Sequence, residues 1–242
     1  MAFNVVYFRS FLETTMVVHR LSSGRPWLPI ESLTMVAKQR TVLWESISRE
    51  YWEQSDHEAK QLDDIYKSFL QRGLTSESTL KVLDIGAGFA GYDILLAQKY
   101  KHLNLTILDA SDEDQEFKLG FQKVAEKYND FNVLDFLFLQ SHIRKERYEL
   151  IDFRGLDIQT WVKQRVAQYD VIQSLFSWCF HYPYDVYRDA AQLLLKPGGI
   201  LIVDCRNTDD QLDAIKENFQ YLGDVHAACI TSDRVIFRQP MP

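Results

Sequence analysis

The chain has 242 residues, 46% of them hydrophobic and 25% charged, with a net charge of −7. That is long enough for one sizeable core and has the composition of a globular protein. No lysine- or arginine-rich block stands out, so the electrostatic footprint of a dedicated nucleic-acid binder is missing. The three cysteines, Cys179, Cys205 and Cys229, are far apart and form no CxxC pair, which speaks against a zinc site or a disulfide framework. Cys205 lies in the apolar run "ILIVDC" and reads as a buried reduced thiol, in keeping with a cytoplasmic location. The first residues lack the basic start and cleavage site of a signal peptide. No apolar run reaches the ~18 residues of a membrane span, so no membrane partner is expected.

In chain order, residues 1–78 read as a mostly helical N-terminal region. "RLSSGRPWLP" over 20–29 is a loop rich in Ser, Gly and Pro. Beyond it, Val36, Val42, Leu43, Ile47 and Tyr51 recur at helical spacing. A second amphipathic stretch carries Leu62, Ile65, Tyr66 and Leu70 on one face and stops at Gly73.

From Leu80 the texture changes, and 79–242 reads as one α/β domain. Strand "LKVLDIG" leads to helix "GYDILLAQKY", strand "LTILDAS" and helix "DQEFKLGFQKVAEKY". After the ambiguous segment 131–146 come strand "YELIDFRG", helix "DIQTWVKQRVAQ", strand "YDVIQSLF" and helix "YDVYRDAAQLLL". A turn, "KPGG", precedes strand "ILIVDCRN", helix "DQLDAIKENFQY" and two strands near "DVHAACI" and "RVIFRQ". Such alternation predicts βαβ units in a mostly parallel, doubly wound sheet, with an antiparallel edge hairpin at the end.

The first strand runs into "DIGAGFAG". Three of the chain's ten glycines, Gly86, Gly88 and Gly91, fall within six positions. At a strand end this implies a sharp turn or a close ligand. Gly86 would let the chain turn, Gly88 would let the backbone approach a ligand, and Gly91 would open the helix and pack close to the sheet. The spacing GxGxxG also occurs in dinucleotide sites. However, Asp84 at the strand tip would repel a pyrophosphate and attract an ammonium group. Asp109, at the end of the next strand, stands about twenty residues further on, where an acidic side chain can hold both ribose hydroxyls of a nucleoside. Capping of the following helix is the other role open to it.

These residues resemble the class I S-adenosylmethionine-dependent methyltransferases. "VLDIGAGFAG" is similar to their first motif and "LTILDAS" to their second. "YDVIQSLFSW" resembles their fourth-strand motif, and "LLLKPGGILIVD" the motif before and along the fifth strand. The resemblance implies a seven-stranded sheet with its last strand antiparallel, and S-adenosylmethionine as cofactor across the tips of the first four strands. It implies that Gly86, Ala87 and Gly88 lie against the methionine part, with Gly91 closing the loop. Asp84 would act near the amino group, Asp109 on the ribose and Ala110 beside the adenine. Ser174, in the fourth-strand motif, joins the cofactor-binding set. Asp157 is open to two roles, reaching the adenine amine or capping the helix that starts there.

Methyl transfer is an in-line displacement, so the enzyme must position a nucleophile and, for a hydroxyl, remove its proton. In this family the loop after the fourth strand faces the methyl group. Here it holds Phe176, Trp178, Phe180, Tyr182 and Tyr184 around His181. We expect Phe176, Trp178 and Tyr182 to bind substrate, together with Tyr51 and Trp52 from the N-terminal helices acting as a lid. Packing of Tyr51 and Trp52 on the core is the alternative. His181 has a pKa suited to a general base, although a structural role is equally open to it. The polar-Pro-Pro-aromatic signature of amide N-methylation is absent. No set of residues can be assigned as a metal site.

The leading expectation is therefore O-methylation of a small-molecule or sugar hydroxyl. N-methylation of a small amine or protein side chain is the runner-up, and a non-catalytic cofactor-binding module or a dinucleotide oxidoreductase are further alternatives.

Overall fold

The computed structural model describes residues 37–70, 73–109, 116–119, 122–125, 131–180, 182–206, 211–226 and 232–241. The first helix, α1, runs over Ala37–Phe69 without a break, where the periodicity marks two stretches. No glycine or proline falls within these 33 residues, so nothing in the backbone forces an interruption. Leu62, Ile65, Tyr66 and Leu70 are all buried, as their helical spacing requires. The loop expected over 20–29 lies outside the described residues.

Strand β1 (Thr79–Ile85) leads into α2 (Gly91–Lys99) and β2 (His102–Asp109). The helix expected over 114–128 is instead a hairpin of β3 (Glu116–Leu119) and β4 (Gln122–Ala125), paired antiparallel. "EFKL" alternates polar and apolar residues with a period of two, and Gly120 is a poor helix-interior residue. Both features favour strands over the helical reading. The ambiguous segment forms α3 (Phe131–Gln140), followed by β5 (Tyr148–Asp152), α4 (Ile158–Lys163) and β6 (Tyr169–Ser174). Helix α5 (Arg188–Leu194) then gives way to β7 (Leu195–Arg206). The chain ends with α6 (Gln211–Lys216), β8 (Gln220–His226) and β9 (Ser232–Arg238).

The "KPGG" turn is a bulge within β7. The register with β6 jumps from Tyr169↔Leu195 to Val171↔Ile200, leaving residues 196–199 out of the ladder. A Cβ on Gly199 would lie 2.9 Å from the Lys196 carbonyl oxygen and 3.1 Å from that of Asp170, so only glycine fits there.

Seven strands form one sheet in the order β5-β2-β1-β6-β7-β9-β8. All neighbouring pairs are parallel except those made by β9, which is antiparallel to both β7 and β8. The expected terminal hairpin is present, with β8 at the edge and β9 inserted between it and β7. Helices α1, α2 and α3 cover one face, where Leu62, Tyr66, Ile94 and Phe138 meet Val82 and Ile202. Helices α4, α5 and α6 cover the other, where Trp161, Leu194 and Ile215 meet Leu83, Ile172 and Val203. The central strands are buried on both faces, which is why they read as nearly continuous apolar runs. Among the described residues, no helix is long and apolar enough to cross a membrane.

The chain lays β1, β2 and β5 outward in one direction, then returns to place β6 on the other side of β1. That reversal opens a crevice at the carboxyl ends of β1 and β6, the place where open parallel sheets take ligands.

Candidate functional site

The glycine loop forms the floor of this crevice. Gly86 leaves β1 at φ +75°, and its N–H donates to the Leu108 carbonyl at 2.9 Å. A Cβ there would collide with the Ser177 side chain from the loop after β6, so Gly86 allows the two loops to touch. Gly88 has φ +56°, and the space its Cβ would occupy is open. Its N–H donates to Asp109 Oδ2 at 2.9 Å, tying the loop to the carboxyl end of β2. Ala87 is buried beside it. Gly91 begins α2 as expected, but its close contact is not with the sheet. A Cβ there would lie 2.5 Å from Tyr51 Oη and would collide with the Ser55 hydroxyl, both on α1. It is α1 that needs the gap.

Below the loop is a fully buried polar layer. Asp84 and Asp93 are both inaccessible to solvent. Gln173 Nε2 donates to Asp84 Oδ2 and to Asp93 Oδ1, each at 2.9 Å, and the Tyr66 hydroxyl donates to Gln173 Oε1. Burial pushes the Asp84 carboxyl up to about 6, against the hydrogen bond it accepts from Gln173. Burial and the neighbouring Asp84 hold the Asp93 carboxyl well above the usual carboxylate range. Asp84 is thus at the strand tip, as the sequence implies, but inside the protein.

Three strands from β1, Arg234 of β9 is also fully buried. Its Nε and Nη2 meet Asp204 of β7 at 2.8 and 2.9 Å, and its Nη1 donates to Glu58 and Gln61 of α1. Asp204 also accepts the backbone N–H of Phe176. This cluster joins α1, β7, β9 and the loop after β6.

That loop is tightly folded. The Cys179 N–H donates to the Tyr182 carbonyl at 2.8 Å, and Phe176 and Cys179 have φ of +55° and +67°. Its aromatics divide into two groups. Phe176 is half-buried and meets Phe180 edge-on at 5.6 Å, while Arg206 lies 4.6 Å from the Phe180 ring centre. Tyr182 is 43% exposed. Trp178, in contrast, is 0% exposed and belongs to the core. It stacks on Tyr184 at 5.7 Å, and its Nε1–H donates to the Tyr184 carbonyl at 2.9 Å. The substrate-binding role expected of Trp178 is therefore corrected to a packing one.

The remaining expected residues are dispersed. Tyr51 is buried, edge-on to Phe89 at 6.2 Å and to half-buried Trp52 at 5.3 Å, with its hydroxyl bonded to Ser55 and the Gly91 backbone. It props the glycine loop from below. Ser174 is fully buried; its hydroxyl donates to the Ile85 carbonyl at 2.6 Å and accepts the Trp178 N–H at 2.9 Å. It latches the ends of β1 and β6 together. Asp157 is exposed and caps α4, accepting from the Thr160 N–H at 3.2 Å and its hydroxyl at 2.7 Å. Ala110 and His181 lie outside the described residues. Cys205 is buried and free, as expected, and so is Cys179.

Sequence reasoning missed Asp152. It ends β5 in register with Asp109 on β2, so two carboxylates stand side by side on the sheet's carboxyl edge. The strand-end position is its sequence signal, whereas Asp157 stands at a helix start. Asp93, Gln173, Tyr66, Asp204 and Arg234 were also missed, although a charged residue inside an apolar run such as "LIVDC" or "RVIF" is itself a marker.

No family model and no curated protein matches the sequence. Solved structures match the fold. The S-adenosylmethionine-dependent methyltransferase SibL, in its apo form, aligns with a TM-score of 0.52 at 16% identity, over 100% of this chain and 71% of that one. Human methyltransferase-like protein 13, in complex with SAH, aligns at 0.51 and 20% identity, over 74% and 80%. The cyclase SpnF aligns at 0.51 and 13% identity, over 75% and 81%. The chain has the Rossmann-like fold of the S-adenosylmethionine-dependent methyltransferases.

Proposed function

We propose that this protein is an S-adenosylmethionine-dependent methyltransferase that acts on a hydroxyl of a small molecule or sugar. The observation that carries the reading is the geometry around Gly88. The open space at its Cα, its N–H on Asp109, and the position at the β1/β6 reversal fit a nucleoside lying across the strand tips. SibL and methyltransferase-like protein 13 supply the precedent for this fold in methyl transfer and in binding SAH.

When bound, the cofactor supplies an electrophilic methyl group on a sulfonium. Gly86, Ala87 and Gly88 hold its amino-acid part, and Asp109 accepts from the ribose hydroxyls. Asp152, beside Asp109, and Asp157 are the two candidates for the adenine side: Asp152 holds the Arg154 side chain and backbone N–H, and Asp157 caps α4. The loop after β6 orients the acceptor, with Phe176 and Tyr182 as its aromatic contacts. His181 would be the base that takes up the acceptor hydroxyl's proton. The N-terminal helical region, with Trp52 near the glycine loop, would shape the acceptor side as a lid, and the free thiols suit a cytoplasmic location.

A shared fold does not fix the reaction, and SpnF is a cyclase on the same scaffold. The experiment that tests the reading is calorimetric titration with S-adenosylmethionine, S-adenosylhomocysteine and NAD. Micromolar binding of both sulfur nucleosides, with none for NAD, is expected. Binding of NAD alone would overturn it. Methylation assays with matched alcohols and amines then separate O- from N-transfer.

A further inference from the structure

Asp84 and Asp93 make an unusual pair. Gln173 donates one amide group to both, and the Tyr66 hydroxyl holds the other end of that amide so that its NH₂ faces the carboxyls. One oxygen on each carboxyl, Asp84 Oδ1 and Asp93 Oδ2, is left without a donor. The two carboxyl groups are also within hydrogen-bond reach of each other. Two fully buried carboxylates in contact cannot both be ionised without a large penalty. A single proton held by the pair relieves that penalty.

Among the described residues, the charged and titratable neighbours offer no free cation to neutralise the pair. Tyr66 and Tyr51 face it from α1, Tyr92 from α2 and Arg234 from β9, while β6 contributes only the neutral Gln173. Arg234 is the cation of this set, and Asp204 and Glu58 already hold it.

We propose that Asp84 and Asp93 share one proton at neutral pH, and that a ligand bearing an ammonium group, bound at the glycine loop, drives that proton off to solvent. The linked release rests on the methyl-donor reading above; the shared proton does not. Before binding, the pair carries one negative charge. A cation above it favours the second ionisation, so the pair would gain its full charge only when a cationic ligand is present. Asp93 is then a specificity-determining partner of Asp84, acting through its charge and not by contact. The raised pKa of both carboxyls agrees with this arrangement.

Infrared spectroscopy of the whole chain at neutral pH tests the proton directly. A protonated-carboxyl C=O band is expected in the wild type and should be lost in Asp93→Asn. If that variant does not fold, the band is followed in the wild type alone, where raising the pH must bleach it. Absence of the band in the wild type overturns the proposal. Titration with S-adenosylmethionine in buffers of different ionisation enthalpy tests the release. Buffer-dependent heats are expected, with affinity rising up to about tenfold per pH unit. Buffer-independent heats overturn the release. A band with no binding of either sulfur nucleoside overturns the methyl-donor reading but upholds the shared proton.

Discussion

Tyr51 on α1 reaches the first residue of α2: its Oη would stand 2.5 Å from a Cβ on Gly91. Tyr51 is buried and braced by Phe89 and Trp52, so it has little freedom to retreat. Gly91→Ala should therefore destabilise the fold by about 1–3 kcal/mol through overpacking. Urea unfolding measures it. Shortening the other neighbour, as Gly91→Ala with Ser55→Gly, should recover part of the loss. A single variant as stable as the wild type would mean that α1 does not press on the loop.

Asp109 has a role in both the empty and the loaded site, because it accepts the Gly88 N–H and faces the crevice. Asp109→Ala should weaken S-adenosylmethionine binding by about 1.5–3 kcal/mol, the worth of hydrogen bonds to a charged group. Calorimetry on the two proteins checks this. Unchanged affinity would remove Asp109 from the ribose.

The alternation in the main sheet was legible because its strands are short apolar runs and its helices have an apolar stripe; β3 and β4 were not, because their short mixed polar and apolar segments also fit a helix. The glycine loop and Asp109 were legible because their spacing is local. Trp178 was not: aromatic density in a loop looks the same whether the rings face solvent or turn inward. Arg234 lies 30 residues from Asp204 and 176 from Glu58, so only the folded topology brings them together. Likewise, no sequence signal tells that Gly91 makes room for Tyr51.

Arg234 is the cation between two buried acids. Arg234→Met should cost about 3–5 kcal/mol, since it strands Asp204 and Glu58 in the interior. Burial already raises the Asp204 carboxyl, with Arg234 holding it down. Without Arg234 it should rise further, so the variant's deficit should shrink on acidification as the stranded Asp204 takes up a proton. Thermal unfolding across a pH series follows this. A deficit that is constant with pH would contradict it.

Asp63 has the opposite sign. Burial acts to raise its pKa, but Lys67 at 2.7 Å, Lys99 at 2.5 Å and the Tyr100 hydroxyl at 2.5 Å outweigh it and hold the carboxyl below its ordinary value. A carboxyl held low in the folded state stabilises the fold above its unfolded pKa of about 3.9, and that contribution is lost as pH falls toward the folded value. Asp63→Asn should thus cost roughly 1–2 kcal/mol at neutral pH, allowing for the solvent exposure of the two lysines. The difference from wild type should close below about pH 4. Denaturant melts at neutral and acid pH would show the two curves converging.

Trp178 and Phe176 lie two residues apart in one loop, yet should behave differently. Trp178 fills the core between Tyr184 and Tyr187 and donates to a buried carbonyl, so Trp178→Ala should cost about 3–5 kcal/mol. Trp178→Phe should keep much of the packing while losing the hydrogen bond. Phe176 is half-buried with its ring against Phe180, and Phe176→Ala removes less buried surface. It should cost roughly 1 kcal/mol or less by comparison. Its effect should appear in acceptor turnover with cofactor affinity intact. Unfolding curves for the three variants, set beside nucleoside affinities, separate the roles. A Trp178→Ala protein that folds as stably as the wild type would return Trp178 to the acceptor site, because a ring removed without cost cannot have been holding the core.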